Sequence, residues 1–353
     1  MENEIHDIID TKSIKKELRR DANVNAVLLF IFWLIYYAAS LFLPVAVKLI
    51  APEMDESNLS SLATLIFYII LYPIGFPVIF IIFRKISKGY KDQKIISCFR
   101  KPQMPAGWVA KWIFLTIGAT YAAAYISSFL EMIFEFITGT DLNGLTGAPE
   151  SNKLGMITTL ISAPLFAPIF EELFFRGVLY RNVQNYGKWS MMIIGGLTFG
   201  IWHANYPQFL FAAVMGVFSC FLFEKTKSII PSMIVHFIVN CIGATMLVLV
   251  SKLGLSDTSE IAYMSSSLFF EHPFIMLAIM LAGLTIMAVL LLWFIFMIIE
   301  ITCHSDSFRI SGRETTGISG ISAFFTYMTA PLMIIAMLGM LGLTVFRALG
   351  GQI

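Results

Sequence analysis

Long apolar segments separated by short polar ones make up most of this chain. Apolar runs of about 17 residues or more recur along it, a pattern typical of helices that cross a lipid bilayer. Nine such segments are predicted, at about 26–50, 61–83, 108–137, 154–180, 189–203, 207–223, 229–251, 273–299 and 321–346. The two short segments 189–203 and 207–223 predict a helical hairpin that turns at Asn205-Tyr206-Pro207. We therefore predict an all-α, polytopic transmembrane helix bundle with nine spans, or with eight on the alternative count.

Composition supports a membrane protein and excludes a soluble globular domain. Of the 353 residues, 58% are hydrophobic and only 13% are charged, and the mean hydropathy is +0.79. Soluble domains carry roughly 25% charged residues. The net charge of +1 says nothing about partners by itself; the apolar composition makes the lipid bilayer the first partner that we predict, and we predict no nucleic-acid partner. The four cysteines lie far apart, which favours isolated thiols over a disulfide framework or a zinc knuckle.

The positions of the charges predict the orientation of the spans. The segment 84–111 is strongly basic, and short loops rich in Lys and Arg remain in the cytoplasm. This places the N-terminus on the cytoplasmic side of a cell membrane and makes the segments around 138–153 and 252–272 external. The first apolar run, 24–50, is too long for a signal peptide and predicts a retained span. Residues 1–25 are then a cytoplasmic segment, and 26–137 contain three membrane helices.

Three polar clusters interrupt the apolar sequence between residues 164 and 240. Charged groups at bilayer depth cost several kcal/mol on most scales, so they are rare there unless they have a partner or a function. Two of the five histidines of the chain belong to these clusters. The clusters consist of Glu171, Glu172 and Arg176, of Phe199 and His203, and of His236 and Asn240. We interpret them as one site that three helices build inside the bundle.

Helical spacing places the two carboxylates, Glu171 and Glu172, on different sides of one helix. Glu172 and Arg176 are four residues apart and can pair on one helix face, whereas Glu171 lies about 100° away and can face a cavity. Pro164 and Pro168 precede them and predict a kink that opens space beside Glu171. Counting residues from the inner turn places Glu171 and His203 at similar depth in the membrane. His236 lies nearer the inner surface on the same count, and a tilted helix or a cavity open to the cytoplasm would bring it to the other two.

Two hydrolytic schemes fit these residue types. In the first, Glu171 deprotonates a water molecule that His203 also holds, and His236 and Asn240 donate hydrogen bonds to the oxyanion. In the second, Glu171, His203 and His236 supply three ligands to a zinc ion or another divalent metal, which leaves one position for water. The spacing is compatible with both schemes, so the sequence leaves open whether the site contains a metal cofactor.

The three clusters together resemble the CAAX-processing and bacteriocin-processing protease family (CPBP, also called Abi or type II CAAX prenyl endopeptidases). The chain reads EELFFR from Glu171, FGIWH from Phe199 and HFIVN from His236, in the order and form of the EExxxR, FxxxH and HxxxN motifs of that family. The resemblance covers about 150–245, the predicted catalytic core. Residues 246–353 then form an outer loop and two further membrane helices.

This resemblance implies an intramembrane endopeptidase of glutamic or metallo type that acts on a peptide or a lipidated protein. Glu171 would activate water with His203 as its partner, His236 and Asn240 would stabilise the oxyanion, and Glu172, Arg176 and Phe199 would support them. Two other functions stay open. An ion-coupled transporter could use the same groups as a proton relay. A catalytically idle member of the family could act as a membrane scaffold or immunity protein.

Overall fold

The structure is a bundle of α-helices, with no strand among the residues described. The computed structural model describes residues 2–87, 95–139, 152–252, 273–308, 310 and 317–348. The helices are α1 (Glu2–Ile50), α2 (Glu56–Ile70), α3 (Phe76–Ile86), α4 (Ala106–Thr138), α5 (Lys153–Ile161), α6 (Ala167–Phe174), α7 (Arg181–Val183), α8 (Lys188–Trp202), α9 (Tyr206–Thr226), α10 (Ile230–Lys252), α11 (Pro273–Cys303), α12 (Ser305–Phe308), α13 (Gly320–Met328) and α14 (Pro331–Ala348). The predicted all-α class is confirmed.

Among the described residues, seven helical segments are long and apolar enough to cross a membrane, and an eighth forms if the bent pair α13 and α14 counts as one span. The chain is therefore a multi-pass membrane protein. The predicted count of nine is higher than this, and the alternative count of eight is reached when the bent pair is one span. The difference lies in α8, which has 15 residues. At about 1.5 Å of rise per residue, such a helix is shorter than a hydrocarbon core of about 30 Å.

Prolines mark the irregular turns in two of the spans. A π-helical turn, Leu71–Gly75, lies between α2 and α3 around Pro73. Another, Ser162–Phe166, contains Pro164 and separates α5 from α6, and a third, Phe175–Tyr180, follows α6. Proline lacks the N–H that a regular α-helical turn requires, so the chain adopts a wider turn at the first two of these points, while the third contains no proline. The predicted distortion just before Glu171 is confirmed.

Three glycines allow α8 and α9 to pack with their backbones in contact. A Cβ atom on Gly196 would lie 2.5 Å from the carbonyl oxygen of Ala213, and one on Gly200 would lie 2.5 Å from that of Phe209. On the opposite helix, a Cβ on Gly216 would lie 2.7 Å from Cα of Gly196. Small residues permit this close approach between membrane helices. The predicted helical hairpin is confirmed, and it fixes the position of the C-terminal end of α8.

Segments predicted to share a membrane face lie together in the structure. At one end of the bundle, Nε of Arg100 donates to the carbonyl oxygen of Lys227 at 2.7 Å, and the backbone N–H of Ile229 donates to that of Cys98 at 2.9 Å. At the other end, the side chain of Asn152 donates hydrogen bonds to Ser57 and Ser61. These contacts agree with a bundle that has one basic inner end and one outer end. Which end faces the cytoplasm stays a prediction.

Polar contacts join the first helix to the C-terminal helices α13 and α14, and the contact that Asn25 makes is buried. The side-chain amide of Asn25 is fully buried and donates to the carbonyl oxygen of Leu179 at 3.0 Å and to the hydroxyl of Tyr327 at 3.1 Å. The backbone N–H of Leu332 donates to Oδ1 of Asn23 at 3.0 Å. A bend of 72° between α13 and α14 turns the last helix along α1. The C-terminal helices are thereby part of the same bundle as residues 153–252.

Several sequence predictions fall on residues that the structure does not describe. They concern the central part of the basic segment and the predicted external loops. The residues outside the description are 1, 88–94, 140–151, 253–272, 309, 311–316 and 349–353.

Candidate active site

Polar groups from three separate parts of the chain meet at one cavity of about 390 Å³. Glu171 reaches it from α6, His203 from the residue that follows α8, and both His236 and Asn240 from α10. Nε2 of His236 lies 3.9 Å from Oε2 of Glu171. The predicted convergence of the three clusters is therefore observed. Depth counted along separate helices could not establish it for His236, because the packing angle of α10 was unknown.

A fully buried ion pair anchors one imidazole of the site. Nη1 of Arg176 donates to Oε1 of Glu172 at 2.9 Å, and neither side chain is exposed. The same oxygen lies 3.1 Å from Nδ1 of His236. Because a carboxylate oxygen accepts, Nδ1 of His236 carries a proton and donates it to this bond. The carboxylate of Glu172 therefore fixes the ring of His236 with Nε2 on the side of Glu171.

The second imidazole is anchored by the backbone of its own helix. Nδ1 of His203 lies 2.8 Å from the carbonyl oxygen of Phe199. A carbonyl oxygen only accepts, so Nδ1 of His203 donates and the neutral ring has its free lone pair on Nε2. Glu171 interacts electrostatically with this imidazole, and both residues line the same cavity. A water molecule between them would meet a carboxylate and an imidazole acceptor.

The ring of Phe199 packs against three of the polar groups. The guanidinium carbon of Arg176 lies 4.5 Å from the ring centroid, a cation–π distance. The imidazoles of His203 and His236 contact the same ring edge-to-face, with centroids 4.9 Å and 5.6 Å away. Phe199 is fully buried. The predicted supporting residue is thus the common packing partner of both histidines, which the FxxxH spacing alone related only to His203.

Asn240 binds a backbone carbonyl that the proline kink leaves exposed. In the π-helical turn, the backbone N–H of Ala167 donates to Ser162, and the next donor position along the chain is Pro168, which has no N–H. The carbonyl oxygen of Ala163 instead accepts from Nδ2 of Asn240 at 2.8 Å. A side-chain amide has two N–H donors, so one remains for a group in the cavity. The kink and the third motif therefore stabilise each other.

The arrangement does not support the predicted zinc site. Nitrogen and oxygen ligands lie about 2.0–2.2 Å from a zinc ion, which requires three ligand atoms that converge on one point. Within the described part of the chain, no group of three or more His, Cys, Asp or Glu residues is arranged to hold a metal ion. Glu171, His203 and His236 line one cavity without forming such a set. The metalloprotease scheme thus lacks structural support in the described residues.

Other residues of the cavity were not identified from the sequence. Tyr68 from α2 and Gln208 from α9 line the cavity beside Glu171 and His203. Arg347 from α14 lines an adjoining space that also contains Glu171 and His203. The polar residue Gln208, directly after Pro207, was a usable signal in an apolar helix. Tyr68 was not distinguishable from lipid-facing aromatic residues, and Arg347 was not distinguishable from an interfacial charge that ends a span.

Comparison with protein families finds a match in the same region. Residues 153–242 match the family model described as type II CAAX prenyl endopeptidase, Rce1-like. This part of the chain contains the catalytic residues predicted from the three motifs, and the match confirms the resemblance to CAAX-type proteases. Comparisons with curated proteins and with solved structures found no match. The match shows a similarity of this region to that family, and it identifies neither a substrate nor a mechanism.

Proposed function

We propose that this protein is an intramembrane endopeptidase that hydrolyses a peptide bond in a membrane-associated or lipidated protein or peptide. One observation carries the proposal. Glu171, His203 and the pair His236 and Asn240 come from three separate parts of the chain and line one cavity within the bundle, and the two imidazoles are each anchored through Nδ1. The family match over 153–242 supports the same class of reaction.

In the proposed reaction, Glu171 is the general base. A water molecule held by its carboxylate and by Nε2 of His203 loses a proton to Glu171 while its oxygen attacks the carbonyl carbon of the peptide bond. The C–N bond then breaks, and the amine leaves with the proton that Glu171 returns. Glu171 is only 11% exposed at its side chain, so few competing waters surround it.

The oxyanion of the tetrahedral intermediate requires hydrogen-bond donors. Asn240 has one amide hydrogen left after its bond to Ala163. Nε2 of His236 donates when the ring is an imidazolium, a charge that Glu172 and Glu171 on its two sides would stabilise. Arg176 completes the pairing of Glu172 from the other side. We assign His236 and Asn240 to the oxyanion and Glu172, Arg176 and Phe199 to the positioning of His236.

The proposed function is tested by peptide cleavage with purified protein in detergent or lipid nanodiscs. Prenylated peptides that end in a CAAX sequence and an unmodified peptide library are incubated with wild type, and the products are identified by mass spectrometry. We expect Glu171→Gln to lower the cleavage rate by about 10²-fold or more while thermal unfolding stays like wild type. Glu131→Gln is the matched control, because Glu131 is a buried carboxylate of α4 that does not line the cavity.

Three results would contradict this assignment. Cleavage that persists in Glu171→Gln would show that another group activates water. Uptake of a solute or ion into proteoliposomes that requires Glu171, without any cleavage, would favour a transporter. A wild-type protein that cleaves none of the peptides and binds one of them unchanged would indicate an idle scaffold.

A further inference from the structure

A second chamber adjoins the predicted catalytic pair on another side. It has a volume of about 190 Å³, roughly half that of the first cavity. Four residues line both chambers, namely Tyr68, Glu171, His203 and Gln208. The chambers therefore meet at Glu171 and His203, where a scissile bond would lie. A peptide bound across this junction would place its two sides in different chambers.

The two chambers differ in chemistry. Aromatic side chains from α1 and α8 form the walls of the smaller one, with Phe32, Trp33 and Trp202 among them. Arg347 also lines it, and it is the only Lys or Arg among the described residues that line either chamber. Arg347 belongs to α14, far beyond the family match that ends at residue 242. The smaller chamber thus combines an aromatic wall with one permanent positive charge.

The position of this arginine is costly unless it has a function. Nη2 of Arg347 contacts the hydroxyl of Tyr37, which lies near the middle of the apolar run 26–50. Arginine at membrane depth is rare, and it marks a substrate or ion site by default. Glu171 and His203 line the same space, which places the guanidinium beside the predicted catalytic groups.

The hydrogen bonds of the guanidinium within the protein are long. Nη1 donates to the carbonyl oxygen of Ala204 at 3.4 Å, and Nη2 donates to the hydroxyl of Tyr37 at 3.4 Å. A guanidinium has five N–H donors in a planar fork that fits a carboxylate, and such charge-assisted bonds are shorter, at about 2.7–2.9 Å. A carboxylate in the smaller chamber would therefore be a better acceptor than either protein group. Ala204 directly follows His203, so this carboxylate would bind within a short distance of the reacting bond.

We propose that Arg347 binds a carboxylate of the substrate and thereby determines specificity. The scissile peptide bond lies at the junction of the chambers. A short segment of the substrate on one side of this bond extends into the smaller chamber and places a carboxylate at Arg347. The carboxylate comes from the free C-terminus of the peptide or from an acidic side chain close to the scissile bond. This inference rests on the proposed endopeptidase function, and it assigns a role to a helix outside the matched region.

The test compares three peptides of one cleavable sequence. The first ends in a free carboxylate, the second ends in a carboxamide, and the third ends in a carboxamide and carries an aspartate in place of its last residue. We expect wild type to cleave the free acid about tenfold or more faster in kcat/KM than the carboxamide, since a charged hydrogen bond of ordinary strength corresponds to at least that factor. Restored cleavage of the aspartate peptide identifies a side-chain carboxylate as an acceptable source, and cleavage as slow as that of the carboxamide identifies the chain end as the source.

Variants of Arg347 assign the preference to this side chain. In Arg347→Gln the ratio between the cleavage rates of acid and carboxamide falls to about one, because the charge that distinguishes the two peptides is gone. Arg347→Lys keeps part of the preference, because the charge remains and the planar fork is lost. Arg84→Gln, at an exposed position in the last turn of α3, is the matched control and leaves the ratio unchanged. A ratio that persists in Arg347→Gln overturns the proposal, and so does an equal loss with both peptides, which would mean that Arg347 only supports Glu171.

A binding measurement separates this inference from the proposed function. In Glu171→Gln, which keeps both chambers, the free-acid peptide should bind about tenfold or more tightly than its carboxamide. The double variant Glu171→Gln/Arg347→Gln should bind both peptides equally. If wild type cleaves none of the peptides but this difference is found, the endopeptidase proposal fails and the carboxylate site stands. Equal binding of acid and carboxamide to Glu171→Gln overturns the carboxylate site whether or not cleavage occurs.

Discussion

Nδ1 of His236 lies 3.1 Å from Oε1 of Glu172, the same oxygen that accepts a hydrogen bond from Arg176 at 2.9 Å. One buried carboxylate oxygen thus joins an imidazole of the cavity to a buried cation. Removing either partner of a buried ion pair leaves an uncompensated charge, whereas replacing both by apolar groups is often neutral. The pair therefore has separable effects on stability and on catalysis.

We expect Glu172→Met to lower the free energy of unfolding by about 3–5 kcal/mol, because Arg176 stays buried without its counter-charge. The double variant Glu172→Met/Arg176→Met should recover most of this stability and remain inactive, since His236 still lacks its acceptor. Thermal unfolding and peptide cleavage, measured on the same preparations, check both expectations. Activity that returns with stability in the double variant would contradict a positioning role for Glu172.

An ion pair at the bundle surface is the control for this experiment. Nζ of Lys111 lies 2.6 Å from Oε1 of Glu300, and the Lys111 side chain is 43% exposed. Exposed pairs contribute about 1 kcal/mol or less. Lys111→Met should therefore change stability by no more than this amount and leave cleavage unchanged.

Substitutions of Asn240 distinguish the loss of a hydrogen bond from a repulsive contact between two acceptors. Asn240→Ala removes the donor to the carbonyl of Ala163, which should cost about 1–3 kcal/mol of stability because that carbonyl is left without this partner. Asn240→Asp has nearly the same shape but, when ionised, brings an acceptor against an acceptor. We expect Asn240→Asp to be less stable than Asn240→Ala at neutral pH, and the difference to shrink as the pH falls and the carboxyl becomes protonated. Thermal unfolding as a function of pH measures this, and equal stability of the two variants at neutral pH would exclude the proposed contact.

The contact between α8 and α9 predicts a strong effect of one added methyl group. In Gly216→Ala the new Cβ would lie 2.7 Å from Cα of Gly196, and backbone atoms cannot move aside easily. We expect a loss of about 1–3 kcal/mol in stability, together with reduced cleavage because α8 carries His203 at its end. Gly283→Ala in α11 is the matched control, since a Cβ there meets no atom within 4 Å. It should be neutral or slightly stabilising, as alanine favours helices.

Thiol labelling tests the predicted orientation. Cys303 is exposed at the end of α11, on the side predicted to be cytoplasmic, whereas Cys98 is buried near Arg181. A membrane-impermeant maleimide should label Cys303 in inside-out vesicles and not in intact cells, and Cys303→Ser should remove this signal. Labelling of Cys303 in intact cells would reverse the orientation.

Cys98 provides an internal reference in the same labelling experiment. Burial raises the pKa of the Cys98 thiol above its usual value, so less thiolate is present at neutral pH. Because the thiolate is the reactive form, Cys98 should react slowly and its rate should rise with pH. Fast labelling of Cys98 at neutral pH would mean that the segment 95–99 is more open than the structure shows.

The local sequence by itself determined the helices and the chemistry of the predicted site. Long apolar runs can span a bilayer only as structures that satisfy their own backbone hydrogen bonds, so the all-α class followed from hydropathy. Spacing of four residues determined the pairing of Glu172 with Arg176, because such positions share one helix face. Prolines predicted the distortion before Glu171, since each one removes a backbone donor.

Only the tertiary structure decided which groups meet. The approach of His236 to Glu171, the packing of Phe199 against both imidazoles and the arrival of Arg347 beside His203 depend on the tilt, rotation and bending of helices that are distant in sequence. Hydropathy also left the count of spans uncertain by one, because α8 is apolar enough to cross a bilayer but too short. Its partner α9 covers it through close glycine contacts, and that relationship exists only between the two folded helices.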